Sequence, residues 1–458
     1  MISPLRPVCG RLFVPTFAIA CCLLAHASAH AQFGGGGGFG QAVGGIAIDT
    51  KGIVGTLDPR AAEELAAERE KTLADGSLAD AANGIRKVSL KAVATAVRAA
   101  AAGATPLPAE ILFLGGLQRI EHVFVDPDRH DIVLSGPADA LKVDAMGNVV
   151  GATTGRPPLH LEDLIVALRA INAARNGGMT CSIDPTPEGI AKLQQLLRKQ
   201  GTMGRDPQAT FTAMEQAMGP QQVTVTGVPG DSRFARVLVA ADYRMKRIGM
   251  GLDPSELDAL PSYLALVPAG GRATTLPRFW LEADYDPIAR DPDELAWRIG
   301  GRRMKCLTES DVAGKEGVAR GAAPADATAV KWCAAMTANY EALAAKQPIF
   351  AELANCVDLA VVAALIRGRQ LDARAGCDLA ALVDPAAAPL PRYDVPASVP
   401  TVATGVKKGT NWVLSASGGV KFQPWQLAAK TADSPEAATA RAAALEARPA
   451  DLAGCSWD

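Results

Sequence analysis

Two short stretches limit what this chain can fold into. "IAIDTKGIVG" (Ile46–Gly55) and "LKVDAMGNVVG" (Leu141–Gly151) each read as strand, Asp-x-x-Gly turn, strand. Asp49 and Asp144 can bond the backbone ahead of them, and Gly52 and Gly147 accept the left-handed conformation of a bulged hairpin. Each hairpin leads towards a helix, "LDPRAAEELAAERE" after the first and "LHLEDLIVALRAINA" after the second. Looser versions of the habit surround Gly300-Gly301 in "LAWRIGGRRMKCL" and Gly418-Gly419 in "NWVLSASGGVKFQPWQLAAK". Tight antiparallel hairpins followed by amphipathic helices predict an α+β fold in two or three packed subdomains, not a doubly wound parallel sheet. The spacing is too irregular for a solenoid.

The rest of the chain fits that class. "MTCSID", "QQVTVTGV", "YLALVP" and "RFWLEADY" read as strands; "PEGIAKLQQLLRKQ" and "PQATFTAMEQAMG" read as helices. Helices dominate from Ala325 to Gly368, and the proline-rich "DPAAAPLPRYDVPASVP" reads as an extended strap. The expected organisation is a leader over 1–31, a glycine-rich tether over 32–45, and α+β subdomains over 46–176 and 177–309. A helical segment over 310–390 and a strap, hairpin and helix over 391–458 follow.

The first residues direct the chain out of the cytosol. Arg6 and Arg11 precede the apolar run Leu12–Ala25, and Ala29-His30-Ala31 offers small residues to a signal peptidase. This is the pattern of a secretory signal peptide cut before Gln32, which implies a periplasmic or extracellular protein. No later run reads as long and apolar enough to span a bilayer. The whole chain carries a formal charge of −2, and the leader removes only basic residues, so the mature protein is mildly acidic. That charge excludes the basic field nucleic-acid binding needs. Six cysteines follow the leader: Cys181, Cys306, Cys333, Cys356, Cys377 and Cys455. An oxidising compartment favours some disulfides among them, but no C-x-x-C appears and spacing does not fix a pairing.

The most strongly marked stretch is "RFARVLVAADYRMKRIGMGL" (Arg233–Leu252). On a helix, Phe234, Val237, Leu238, Ala241, Met245 and Ile248 share one face. Asp231 or Ser232 can cap its start. Arg236, Arg244 and Arg247 fall on the far side, flanked by Tyr243 and Lys246. They read first as a solvated face whose cations suit the helix C-terminus. An anionic-ligand or partner surface would centre on Arg236, Tyr243 and Arg247.

This stretch, with "VFVDPDRHDIVLSGPADALKVDAMGNVVGATTGRPPL", "CSIDPTPEGIAKLQ" and "LPRFWLEAD", resembles a planctomycete-type secreted bacterial family filed as a domain of unknown function. The resemblance runs from about Gly45 to Ala428. It implies a recurring scaffold and carries no activity, cofactor or site residue with it.

Candidate chemistry elsewhere is sparse. Asp126, Asp128, His130 and Asp131 in "FVDPDRHDIVL" could gather round a divalent cation, but Asp-Pro and Arg-His-Asp also make a plain polar turn. His160-Leu161-Glu162 lacks the P-C-x-x-C partner of a zinc deaminase and reads as a helix start. Asp284 and Asp286 could pair as acid and base or simply end a strand. With no nucleophile, metal or phosphate motif, the sequence names no catalytic residue and no cofactor. It points to a non-catalytic scaffold or partner-binding module of the envelope. An extracytoplasmic hydrolase or a small-ligand or metal-binding protein is the alternative.

Overall fold

The computed structural model describes residues 42–49, 52–56, 59–79, 83–103, 106–200, 207–268, 277–314, 317–323, 326–404 and 416–458. The leader, most of the glycine-rich tether, Asp58 and Ser415 lie outside the described residues. With 45% helix and 22% strand in mixed sheets, the fold is α+β.

Both Asp-x-x-Gly stretches form hairpins: Ile46–Asp49 pairs with Gly52–Thr56, and Leu141–Val143 with Val149–Gly151. In the second, the Asp144 carboxylate accepts from the backbone N–H of Met146 and Asn148, which sets the turn as its sequence requires. The other two stretches differ from expectation. Ala296–Arg298 and Gly301–Gly314 belong to different sheets, and the chain crosses between them at Gly300-Gly301. Gly418 and Gly419 sit inside the strand Ser417–Phe422, not in a turn. A Cβ on Gly418 would stand 1.9 Å from the Phe279 carbonyl oxygen, and one on Gly419 1.9 Å from that of Cys181. These glycines serve close strand approach. "YLALVP" also departs: Tyr263–Leu266 is a helical turn capped by Ser262, whose hydroxyl accepts from the Ala265 N–H.

Two seven-stranded sheets organise the molecule. The first runs Gly317–Ala323, Gly301–Gly314, Arg278–Tyr285, Ser417–Phe422, Met179–Pro185, Gln221–Thr226, Ser398–Val399. It is antiparallel except where Arg278–Tyr285 meets Ser417–Phe422 in parallel. The second runs Thr431–Asp433, Ile288–Arg290, Ala296–Arg298, His122–Asp126, Asp131–Ala138, Gly84–Ser89, Ser456–Trp457. Strands from 177–309 and 391–458 enter both sheets, those from 46–176 enter the second sheet, and the largest hydrophobic cluster runs from Val43 to Cys455.

Pro348–Arg369 lies at the centre of that core. Pro348 occupies its first turn, where the missing N–H costs nothing, and Gln370 ends it in the left-handed conformation. In length and hydropathy it matches a membrane span, contrary to the sequence expectation, but its apolar window is wholly buried. It packs against Leu161–Ala170, Arg233–Gly249, Tyr340–Lys346 and Pro424–Ala429. A mostly apolar helix buried on all sides needs such company.

Candidate functional site

The helix Arg233–Gly249 begins where the Ser232 hydroxyl accepts the Ala235 N–H. It runs between the first sheet, the central helix Pro348–Arg369, the helix Leu161–Ala170 and the strap Leu390–Pro400. The apolar face packs as its periodicity requires, but the opposite side is not the solvated face expected. Of the five basic side chains, Arg233, Arg236 and Lys246 are buried, and Arg244 and Arg247 are partly covered. Periodicity identified the apolar positions; it could not show that distant carbonyls and carboxylates would meet the cations.

Arg233 is the centre of a buried cluster. Its guanidinium faces Asp163 and Glu352 (2.9 Å), both nearly inaccessible, and Glu162 (3.5 Å), which is 13% exposed. Tyr393 on the strap donates to Glu162 at 3.0 Å. Glu162 and Asp163 stand in the first turn of Leu161–Ala170, where the helix dipole also favours negative charge. His160, just before that turn, meets the Phe113 ring edge-on, and burial, with Arg233 and Arg69, pushes its pKa well below the usual imidazole range. Burial pushes the Glu162 and Asp163 carboxyls up, Arg233 opposes this, and the neighbouring carboxylates reinforce it. Three acids thus surround one guanidinium, with Arg69 as a further cation nearby. The cluster joins two core helices, the strap and the helix Arg233–Gly249, and it can retain a proton. The Arg233 side chain is only 4% exposed.

Arg236 donates to the carbonyl oxygens of Asp394 and Ile48 (2.7 Å), tying the strap and the first hairpin to the helix. Lys246 places its three N–H groups on Asp242 (2.9 Å), the Ile183 carbonyl (3.1 Å) and the Gly418 carbonyl (3.2 Å). Burial raises the Asp242 carboxyl to about 6 against the pull of Lys246. Arg247 grips Asp253 through two 2.8 Å hydrogen bonds and lies over the Tyr243 ring, and Arg244 shares the same carboxylate. Although burial opposes it, these two cations hold Asp253 below its ordinary range.

Of the candidate ligand surface Arg236, Tyr243 and Arg247, the last two line one cavity, beside Lys246, Gln221, Val399 and Pro400. Its volume of about 20 Å³ suits one water, not an organic ligand. Arg236 lies apart from it, among backbone carbonyls. A wider cavity of about 740 Å³ opens over the loop Gly251–Ser262, where Glu256 and Asp258 are exposed. That loop is held from behind by Gln347, which donates to the Pro254 and Ser255 carbonyls, and by Trp332, which donates to Pro261.

The candidate metal residues lie at the turn between His122–Asp126 and Asp131–Ala138. Asp126 and Asp131 come together, but Arg448 stands between them at 3.7 and 2.8 Å. Asp131 also takes the Ser89 hydroxyl and the Lys91 N–H, and Asp126 takes Arg129. Asp128 and His130 are exposed, His130 with a left-handed backbone (φ 53°). Among the described residues, no group of three or more His, Cys, Asp or Glu is placed to hold a metal ion. Asp284 lies 3.7 Å from both Arg302 and Lys305 on the open side of its strand. The Arg233 cluster was missed in the sequence. Its signal was two acids opening one helix and Glu352 in a mostly apolar run that also holds Asn355 and Asp358.

An α+β fold around a charge-paired interior helix thus defines the molecule. Residues 181–263, from Met179–Pro185 to Tyr263–Leu266 and including the whole of Arg233–Gly249, match the model of a family, DUF1598, described as "Protein of unknown function". No curated protein and no solved structure matches the chain.

Proposed function

We propose that this chain is an exported envelope or extracellular protein of the planctomycete-type secreted family, acting as a non-catalytic scaffold or partner-binding module. One observation carries the reading: the charged groups of the best-marked helix meet protein partners. Arg233 meets three carboxylates, Lys246 meets Asp242 and two carbonyls, and Arg247 meets Asp253. Active sites concentrate perturbed acids and bases where substrate can reach them. Here the perturbed acids Asp163 and Asp242 are buried in packing between helices and sheet, and Glu162 is mostly covered. The leader-like first residues support export.

The test has two arms run on one preparation of the mature protein. Capture from envelope extract retains a specific protein partner, and a panel of ester, phosphoester, glycoside and peptide substrates is turned over no faster than in buffer. Turnover abolished by a single replacement at Glu256, Asp258, Asp284 or Asp286 would overturn the reading in favour of the hydrolase alternative.

A further inference from the structure

Six thiols follow the leader, and the fold brings two of them into contact. Cys306 lies on the strand Gly301–Gly314, opposite Leu281 of the neighbouring strand. Cys333 lies on the helix Ala327–Ala338, which packs across that strand. Their sulfurs are 3.4 Å apart, and both residues are buried. Thr337, one turn beyond Cys333, locks the same contact. Its hydroxyl accepts from the Cys306 N–H at 2.8 Å and donates to the Cys306 carbonyl at 3.3 Å. Helix and strand are thus held in register with two thiols facing each other across the seam.

The other four thiols have different company. Cys356 hydrogen-bonds Asp163, Cys455 donates to the Glu110 carbonyl at 3.7 Å, Cys377 meets the Ile132 backbone, and Cys181 lies beside Asp242 and Lys246. Cys306 and Cys333 are also consecutive cysteines in the chain, so no other thiol lies between them to compete as the segment folds.

We propose that Cys306 and Cys333 form a structural disulfide that staples the helix Ala327–Ala338 to the first sheet, while the other four cysteines of the mature chain stay reduced. The oxidant is a small-molecule or protein disulfide. One protein thiolate attacks a sulfur of the oxidant and expels its first thiol. The second protein thiolate then attacks the mixed disulfide and expels the second thiol. Two protein thiols and one oxidant disulfide become one protein disulfide and two oxidant thiols. Closure needs the sulfurs to approach from 3.4 Å to the bonded ~2.0 Å, a side-chain adjustment. Burial pushes the Cys306 thiol well above its usual range, so exchange is slow once the seam is shut and belongs to folding or to local opening. The inference rests on the export reading only for where the bond forms in the cell; the pairing itself follows from the geometry.

The test uses the purified, reduced full chain in a glutathione and glutathione-disulfide buffer, with urea below the unfolding midpoint, followed by thiol trapping and a non-reducing peptide map. The expected result is a Cys306–Cys333 cross-link, with the Cys181, Cys356, Cys377 and Cys455 peptides alkylated. Reductant should then lower the Tm by about 4 °C, the size expected for closing a loop of this length in a chain of this length. The Cys306→Ala/Cys333→Ala variant should show no such dependence. Recovery of both peptides alkylated, or Cys306 joined to another cysteine, overturns the proposal. If the protein proves cytosolic, the pair is reduced in cells yet still closes in this buffer, so failure of the export reading is seen separately.

Discussion

Replacing Arg233 by methionine is the most informative single change, because it leaves the volume largely filled and removes the charge at the centre of the buried cluster. Glu162, Asp163 and Glu352 would then face one another with only Arg69 near, in a region where these side chains are 13%, 3% and 4% exposed. Removing one partner from a buried ion pair costs about 3–5 kcal/mol. Three acids on one guanidinium place this variant at the upper end of that range. The pH dependence is fixed in sign. Burial raises the folded-state pKa of Glu162 and Asp163 above their unfolded values. Their protonated forms therefore favour the folded state below the unfolded pKa, and that contribution is lost as pH rises through the folded pKa. Without Arg233 the carboxyls rise further, so the variant loses more stability in mild base than in mild acid. Urea unfolding at about pH 5 and about pH 8, fitted with a common slope, reads the difference. A loss below about 1 kcal/mol at the higher pH, or an equal loss at both, would refute the buried-hub reading. Adding Asp163→Asn and Glu352→Gln to the variant should restore part of the loss, because the orphaned charges go with the cation.

Other changes probe other parts of the helix and its surroundings. Lys246→Met leaves Asp242 buried without its cation and should cost about 3 kcal/mol or more near neutrality, less in mild acid, by the same unfolding assay. Gly418→Ala puts a methyl 1.9 Å from the Phe279 carbonyl oxygen, so the strand Ser417–Phe422 cannot seat; loss of soluble protein is expected, and a normal Tm would contradict the close approach. Asp253→Asn releases Arg244 and Arg247 at a partly exposed site and should cost only about 1 kcal/mol, diminishing in high salt. At the turn holding Asp126 and Asp131, Arg448 already fills the place of a cation. Calcium or manganese should therefore leave the Tm unchanged, and a rise abolished by Asp131→Asn would place an ion there.

Much of the local structure was legible because its causes are local. The Asp144 turn, the Ser232 cap and the apolar face of Arg233–Gly249 each follow from residues a few positions apart. The α+β class followed from the hairpins. What stayed hidden was set by partners far along the chain. Arg236 finds Ile48 and Asp394, and Arg233 finds Glu162, Asp163 and Glu352 on two other helices, so cations that suit a wet helix face became interior fastenings. Gly418-Gly419 has the composition of a turn. Only the neighbouring strands Arg278–Tyr285 and Met179–Pro185 show that it is there because a side chain would collide. Glu352, Asn355 and Asp358 in an apolar run were the remaining hint, since acids and amides at such depth need partners.

The claim that most directly governs the functional reading is that the chain leaves the cytosol, and one measurement addresses it: the N-terminal residue and cell fraction of the native protein, read by mass spectrometry after fractionation. A chain beginning at Gln32 in the envelope or extracellular fraction is the expected result. A chain beginning at Met1 in the cytosolic fraction would contradict it.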